Sequence, residues 1–358
     1  MTPADVVGVV VGAVVVVLTV LSAIATVVVP RGEPVRLTNA VFRVSRKLFE
    51  LRSDVLRHDY ERRDRAMSKF APVTLIGLAF VWLTAVLLGF TGIFHGFADG
   101  VGWAYAFEAS GSSLMTLGFV AVDGVDLHIV AFAEAGLGLL LLALLITYLP
   151  TMYAAFSRRE ALVTRTSISA GTPPTPWALI ERYHRIAGFD RLEAQLWTPW
   201  TGGFVDIEES HTSLSALALF RSPQPHRSWI TAAGCILDTA ALLQSSVEGY
   251  DDSRAQLTMR AGFLSLRAIA DHHGVAHDPD PSPDDPISIT RDEWEQVLDD
   301  LAAIGVPIVA DRDEAWRAFR GWRVNYDAVL LGLAEFTMAP YAPWSADRSP
   351  PIRLPRSA

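Results

Sequence analysis

One cysteine, Cys235, stands in the whole chain, so no intrachain disulfide can form, and its place in the polar half reads as a reduced cytosolic thiol. Without a second cysteine there is no Cys-His cluster of zinc spacing. Strand-like alternation of apolar and polar residues is absent, and so is any repeat of 20–50 residues. Basic charge is scarce: the formal net charge is −9. That balance, with no aromatic-basic stripe, argues against nucleic acid as a partner. Phosphate loops, nucleophile elbows and cofactor fingerprints are also missing, so neither an enzyme nor a cofactor is expected.

What the chain has instead is long uncharged runs. A helix needs roughly 20 apolar residues to cross a bilayer core. Val6–Val29 and Ala71–Phe94 carry no charge, and Ile129–Leu149 carries only Glu134. Each reads as a transmembrane helix. The segment from Arg31 to Lys69 holds 11 basic side chains against 6 acidic ones, whereas 95–128 holds no Lys or Arg. Cytoplasmic loops collect Lys and Arg, so this asymmetry predicts an outside N-terminus, an outside loop 95–128 and a cytosolic C-terminal half in a cell membrane. The residues before the first run are acidic where a cleaved signal is basic, so a retained reverse anchor is expected. Gly8 and Gly12 form a small-xxx-small pair that either admits a neighbouring helix or arises by chance in a Val/Gly-rich run. The stretch 42–51 is amphipathic, and the basic linker is expected along anionic headgroups.

The loop between the second and third runs is apolar and aromatic where an outside loop would be polar. Residues 103–119 suit a short re-entrant helix, which survives at membrane depth only buried in protein or beside a watery cavity. Its end, Thr116-Leu117-Gly118-Phe119, resembles a potassium-channel selectivity filter, in which four copies of a Thr-Val-Gly-Tyr-Gly loop replace an ion's water with carbonyl rings. The run Ser112-Ser113-Leu114-Met115-Thr116 is similar to the passage from pore helix to filter in the two-span ion-channel family. Phe132-Ala133-Glu134-Ala135-Gly136-Leu137-Gly138 resembles the Glu-x-x-x-Gly start of the inner helix in bacterial members. The C-terminal half adds Ala155-Phe156-Ser157-Arg158-Arg159-Glu160, Glu209–Ser213, Phe220-Arg221-Ser222 and Ser228-Trp229, which resemble uncharacterised bacterial proteins described as two-pore-domain potassium-channel-like, although one pore loop is present here. The resemblance implies a homotetramer, potassium or another monovalent cation as the permeant ion, and filter residues Thr116, Leu117, Gly118 and Phe119. Ser112, Ser113, Glu134 and Gly138 would support the pore. Asp123 and Asp126 form either an acidic outer mouth or a plain solvated turn. Trp103 and Tyr105 are expected to anchor the pore helix at the interface. Glu134 is expected to hydrogen-bond the pore helix or the filter backbone, in preference to an ion. Val120 stands where the family has a second filter glycine, and Ala121 where it has Asp; the alternative is therefore a non-conducting scaffold or sensor.

The expected organisation is all-α: an N-terminal span (1–30), a basic linker helix (31–70), a pore module (71–156), a linker (157–176), a helical domain (177–340) and a Pro-rich tail (341–358). Helices are expected at 177–200, 204–219, 228–247, 255–272, 291–304 and 313–338. Asp278–Ser282 begins like a calcium loop, but Pro283 and Ile289 stand where Gly and Glu are required. His272, His273 and His277 read as a solvated cluster without a carboxylate partner, so no metal is expected.

Overall fold

The computed structural model describes residues 2–29, 36–55, 69–98 and 100–350. It is all-helical, with no strand among these residues beyond an isolated bridge between Val247 and Ile308. Two compact units emerge, one from Met1–His58 and Lys69–Ala154 and the other chiefly from Ala155–Ala358.

The first unit contains α1 (Pro3–Val27), α2 (Arg36–Val55), α3 (Phe70–Phe97), α4 (Trp103–Leu114) and the apolar part of α5 (Val125–Ala170). α1, α3 and α5 are long and apolar enough to cross a membrane. α1 starts early because Thr2 and Asp5 cap one another reciprocally and Pro3 occupies the first turn, where its missing N–H costs nothing.

Small residues bring α1 and α3 together. A Cβ on Gly12 would sit 2.3 Å from the Gly89 carbonyl oxygen, and one on Gly92 would sit 2.9 Å from the Gly8 oxygen. Gly96 likewise faces Val9 and the Asp5 carbonyl. Between helices inside a membrane, such backbone contact replaces the hydrophobic drive that water would supply. A polar tie completes the seam, because Trp82 donates to Ser22 at 3.3 Å inside it. Gly8 and Gly12 are therefore part of a helix crossing. Its other half, Gly89, Gly92 and Gly96, went unread in the sequence.

α2 packs on the same unit through Phe42 and Phe49, both edge-on to Phe70. Its other apolar stripe, Val44, Leu48 and Leu51, stays exposed. The linker residues 31–35 and 56–68, with much of the expected basic charge, lie outside the described residues.

α4 has 12 residues, a rise of about 18 Å against about 30 Å of bilayer core. It cannot cross, and the chain turns back after it. α5 has 46 residues, a rise of about 69 Å, so it far outruns a bilayer. The expected linker at 157–176 is helical as far as Ala170, and only Gly171–Pro174 form a turn. Gly171, at φ +85, is what ends the helix.

In the second unit α8 (Trp229–Ser246) is central, with every residue but Gln244 buried. Around it lie α6 (Pro176–Arg182), α7 (Thr198–Ser213), α9 (Ser253–His273), α10 (Arg291–Ala303), α11 (Arg312–Arg323) and α12 (Asp327–Thr337). Two expected helices are broken. The stretch 177–200 is interrupted at Gly188, at φ +79. The stretch 313–338 divides at Val324–Tyr326, where Tyr326 turns inward to bond Asp238 at 2.9 Å. α7 starts before residue 204 and ends at Ser213, followed by a 3₁₀ turn over Ser215–Leu219. Of the Pro-rich tail, 341–350 is irregular and 351–358 lies outside the described residues.

Arg323 anchors this unit. Fully buried, it bonds Asp238 at 2.5 Å, Asp327 at 2.7 Å and the Trp344 carbonyl at 2.7 Å. Although burial opposes the charge, the two carboxylates raise the guanidinium above its ordinary range. Ser288 closes the other side of Asp327 with its N–H and hydroxyl. Such a network specifies packing, and breaking it is far more costly than its net worth.

Candidate pore segment

The segment after α4 starts as a helix cap. The Thr116 N–H reaches the Ser113 carbonyl at 3.0 Å and the Leu117 N–H reaches the Ser112 carbonyl at 2.8 Å. These nested bonds make a Schellman motif, whose hinge residue takes a left-handed conformation and is usually glycine. Here it is Thr116, at φ +54. A β-branched residue in that region is a steric outlier. Gly118 follows at φ +70, while Leu117, Phe119 and Val120 keep negative φ. The hand of the backbone thus alternates from Thr116 to Phe119 and stops alternating at Val120. There the N–H of Val120 donates to Ser112 Oγ at 3.2 Å.

Behind this segment, α4 is held from three sides. Tyr105 donates its hydroxyl to the Ala121 carbonyl at 2.9 Å, so it braces the returning segment in addition to lying near the helix start. Ser110 Oγ sits 2.6 Å from Glu134 Oε1 on α5 and 2.9 Å from the Leu87 carbonyl on α3. Gly138 lets α5 approach the end of α4, since a Cβ there would lie 2.4 Å from the Leu114 oxygen. Trp103 is exposed and stacks on His95, with ring centroids 4.0 Å apart.

The structure brings Ser112, Thr116, Leu117, Gly118 and Phe119 onto one short path and puts Glu134 and Gly138 behind it. Ser113 contributes through its carbonyl. Within one chain the path is open: Leu117 is 63% exposed and Phe119 65%. Asp123, on the return loop, and Asp126 are both exposed. Asp126 lies in the first turn of α5, where an acid also suits the helix dipole. Sequence reasoning missed Ser110. A serine in a run of small residues carries no mark of the buried carboxylate that it meets from 24 positions away.

The remaining candidates lie in the second unit. The described residues include no group of three or more His, Cys, Asp or Glu placed to hold a metal. The histidines expected to be solvated are half-buried, and His272 and His273 meet edge-on with ring centroids 5.0 Å apart. His272 meets Ser215 at 2.6 Å, and His277 is 3.7 Å from Asp271. His273 lies against Phe336, and burial, with His272 beside it, lowers its pKa to about 4. Ser210 Oγ and His211 Nδ1 come within 3.1 Å of each other. His211 Nδ1 faces the Ile207 carbonyl at 2.8 Å and its Nε2 faces Arg159 at 3.1 Å. The first nitrogen therefore donates and the second accepts, which leaves no free base for the serine. Burial pushes the Cys235 thiol up, which makes it inert. In the calcium-like stretch Asp278 accepts the Asp280 N–H and Asp285 accepts the Ser282 N–H.

No family model matches the chain, and neither a curated protein nor a solved structure matches it significantly.

Proposed function

We propose that this chain is one quarter of a cation-conducting pore, a homotetramer in which four copies of Thr116–Phe119 line the ion path. The observation that carries this reading is Thr116. Glycine would relieve the strain of its left-handed backbone at no steric cost. Strain kept where a cheaper residue exists points to a use for the side chain. A ring of four threonine hydroxyls, followed by carbonyls turned by alternating φ, supplies the oxygen ligands that a dehydrated monovalent cation such as potassium needs. One chain supplies a quarter of such a ring, so closed fourfold symmetry is required. The exposed Leu117 and Phe119 would be covered by neighbouring copies.

In this reading the N-terminus and the loop 95–128 lie outside a cell membrane, the second unit lies in the cytosol, and Asp123 and Asp126 gather cations at the mouth. The exposed Val44–Leu48–Leu51 stripe of α2, beside Lys47, suits the interface of an anionic leaflet.

Val120 favours a second reading, a channel-like scaffold or sensor that conducts nothing, because the alternation ends there and Ser112 holds its N–H. Purified protein in potassium-loaded liposomes separates the two. Potassium efflux with a tetrameric mass in mild detergent is expected, and a stable monomer or dimer would remove the pore.

A further inference from the structure

Glu134 is fully buried at the back of the pore helix, and only one of its oxygens has a partner. Oε1 lies 2.6 Å from Ser110 Oγ, while Oε2 is buried and touches no donor. Ser110 Oγ is also 2.9 Å from the Leu87 carbonyl. A serine hydroxyl has a single proton to give, and a carbonyl has none. If Ser110 donates to Leu87, the proton in the 2.6 Å contact must come from Glu134.

The opposite assignment fails on charge. An ionised Glu134 would take the only proton of Ser110, leave the Leu87 contact between two acceptors, and strand Oε2. It would also stand without a cation partner among the described residues. Apart from Glu134, the ionisable side chains on α1, α3, α4 and the part of α5 in this unit are Asp5, His95, Tyr105, Glu108, Asp126, His128, Tyr148 and Tyr153. None is its hydrogen-bond or ion-pair partner. Tyr105 is committed to Ala121 and His95 stacks on Trp103. A lone charge of this kind inside a span is strongly disfavoured. A neutral acid needs one acceptor for its O–H, and Ser110 is that acceptor.

We propose that Glu134 is a protonated carboxylic acid that donates to Ser110, which in turn donates to Leu87, so that a two-bond relay pins the pore helix between the second and third spans. Glu134 is thus a positioning residue. Its protonation does not depend on conduction; only its effect on the filter rests on the pore reading.

The test uses the full chain in nanodiscs. Infrared difference spectra of wild type against Glu134→Gln should show a carboxylic-acid C=O band that shifts in heavy water. Ser110→Ala should move this band toward the position of an unbonded acid. Glu134→Gln keeps an N–H donor and should hold the wild-type thermal midpoint, whereas Glu134→Ala and Ser110→Ala should lower it. Carboxylate bands in place of the acid band would overturn the proposal, as would a band that ignores Ser110→Ala. A protein that passes no ions yet shows the Ser110-sensitive acid band would sink the pore and leave Glu134 protonated.

Discussion

Ser112 Oγ accepts the backbone N–H of Val120 at 3.2 Å, tying the last turn of α4 to the point where the alternating backbone ends. Val120 cannot continue that alternation cheaply, because a β-branched residue pays heavily for positive φ. The tie and the side chain therefore hold position 120 in the same conformation.

Releasing position 120 should change ion discrimination. Val120→Gly makes a further left-handed residue available, so potassium-to-sodium selectivity or conductance should rise, measured as flux from liposomes loaded with either ion. If the native protein is already strongly potassium-selective, the role given to Val120 is wrong. If the native protein passes nothing and Val120→Gly creates nothing, the scaffold reading prevails.

Thr116 separates strain from function. Thr116→Gly should stabilise the fold by about 1 kcal/mol, since the left-handed conformation costs a β-branched residue roughly 1–2 kcal/mol. The same change should remove most of the flux, because it deletes four hydroxyls from the path. Thr116→Val should lose the flux without gaining stability. A Thr116→Gly protein that conducts like wild type would show that the hydroxyl has no part in conduction.

The three spans were readable because nothing but a bilayer asks for such long uncharged runs, and the re-entrant helix because an outside loop has no reason to be aromatic. The strained cap was not readable: Thr is a poor left-handed residue, so its sequence neighbourhood announces a continuing strand or helix, and only the paired bonds to Ser112 and Ser113 reveal the hinge. The break at Val324–Tyr326 was equally hidden, because it is set by a distant partner, Asp238, while the helical period runs on through it. The break at Gly188 was available to a stricter reading of a glycine inside a helical pattern.

The α1–α3 crossing should fail when its glycines gain side chains. Gly12→Leu and Gly89→Leu each place carbon inside 3 Å of facing backbone or side-chain atoms, and backbone cannot move aside as a flexible side chain can. Each should lower the thermal midpoint of the membrane unit and loosen its assembly in mild detergent. Gly77→Leu, on the same helix with open space around its Cβ, is the control and should leave both unchanged. Equal effects from all three would mean that the crossing does not hold the spans together.

Removing Arg323 should be among the most damaging single changes in the helical domain. Arg323→Met leaves Asp238 and Asp327 facing one another without a cation, a loss of about 3–5 kcal/mol for a broken buried pair. Urea unfolding followed by tryptophan fluorescence checks it, because all ten tryptophans except Trp82 and Trp103 lie in this half of the chain. A loss below about 1 kcal/mol, the level of an exposed pair, would contradict the burial of the network.

Acid should weaken the helical domain in two stages whose order follows from the groups involved. His211 and His273 are both held neutral, primarily by burial, with the ordinary histidine value of 6.5 lowered to about 4 for His273 and well down for His211. A depressed folded value means that the unfolded chain binds protons first. The His273 contribution is complete above pH 6.5 and is lost as pH falls toward 4, on the order of 3 kcal/mol, and His211 adds a loss of the same sign below pH 6.5. The second stage belongs to Glu293. Against the opposing effect of burial, hydrogen bonds from Arg348 and Thr290 hold it at about 2 where the ordinary value is 4.5. Its contribution is complete above pH 4.5 and is lost between 4.5 and 2, with a size that solvent screening keeps small at an exposed pair. Urea midpoints measured every half pH unit should therefore fall first between pH 6.5 and 4. His273→Phe, which fills the same space beside Phe336 without a titrating nitrogen, should flatten that first fall while leaving the lower one in place. A first fall that survives both His273→Phe and His211→Gln would assign the acid sensitivity to other groups.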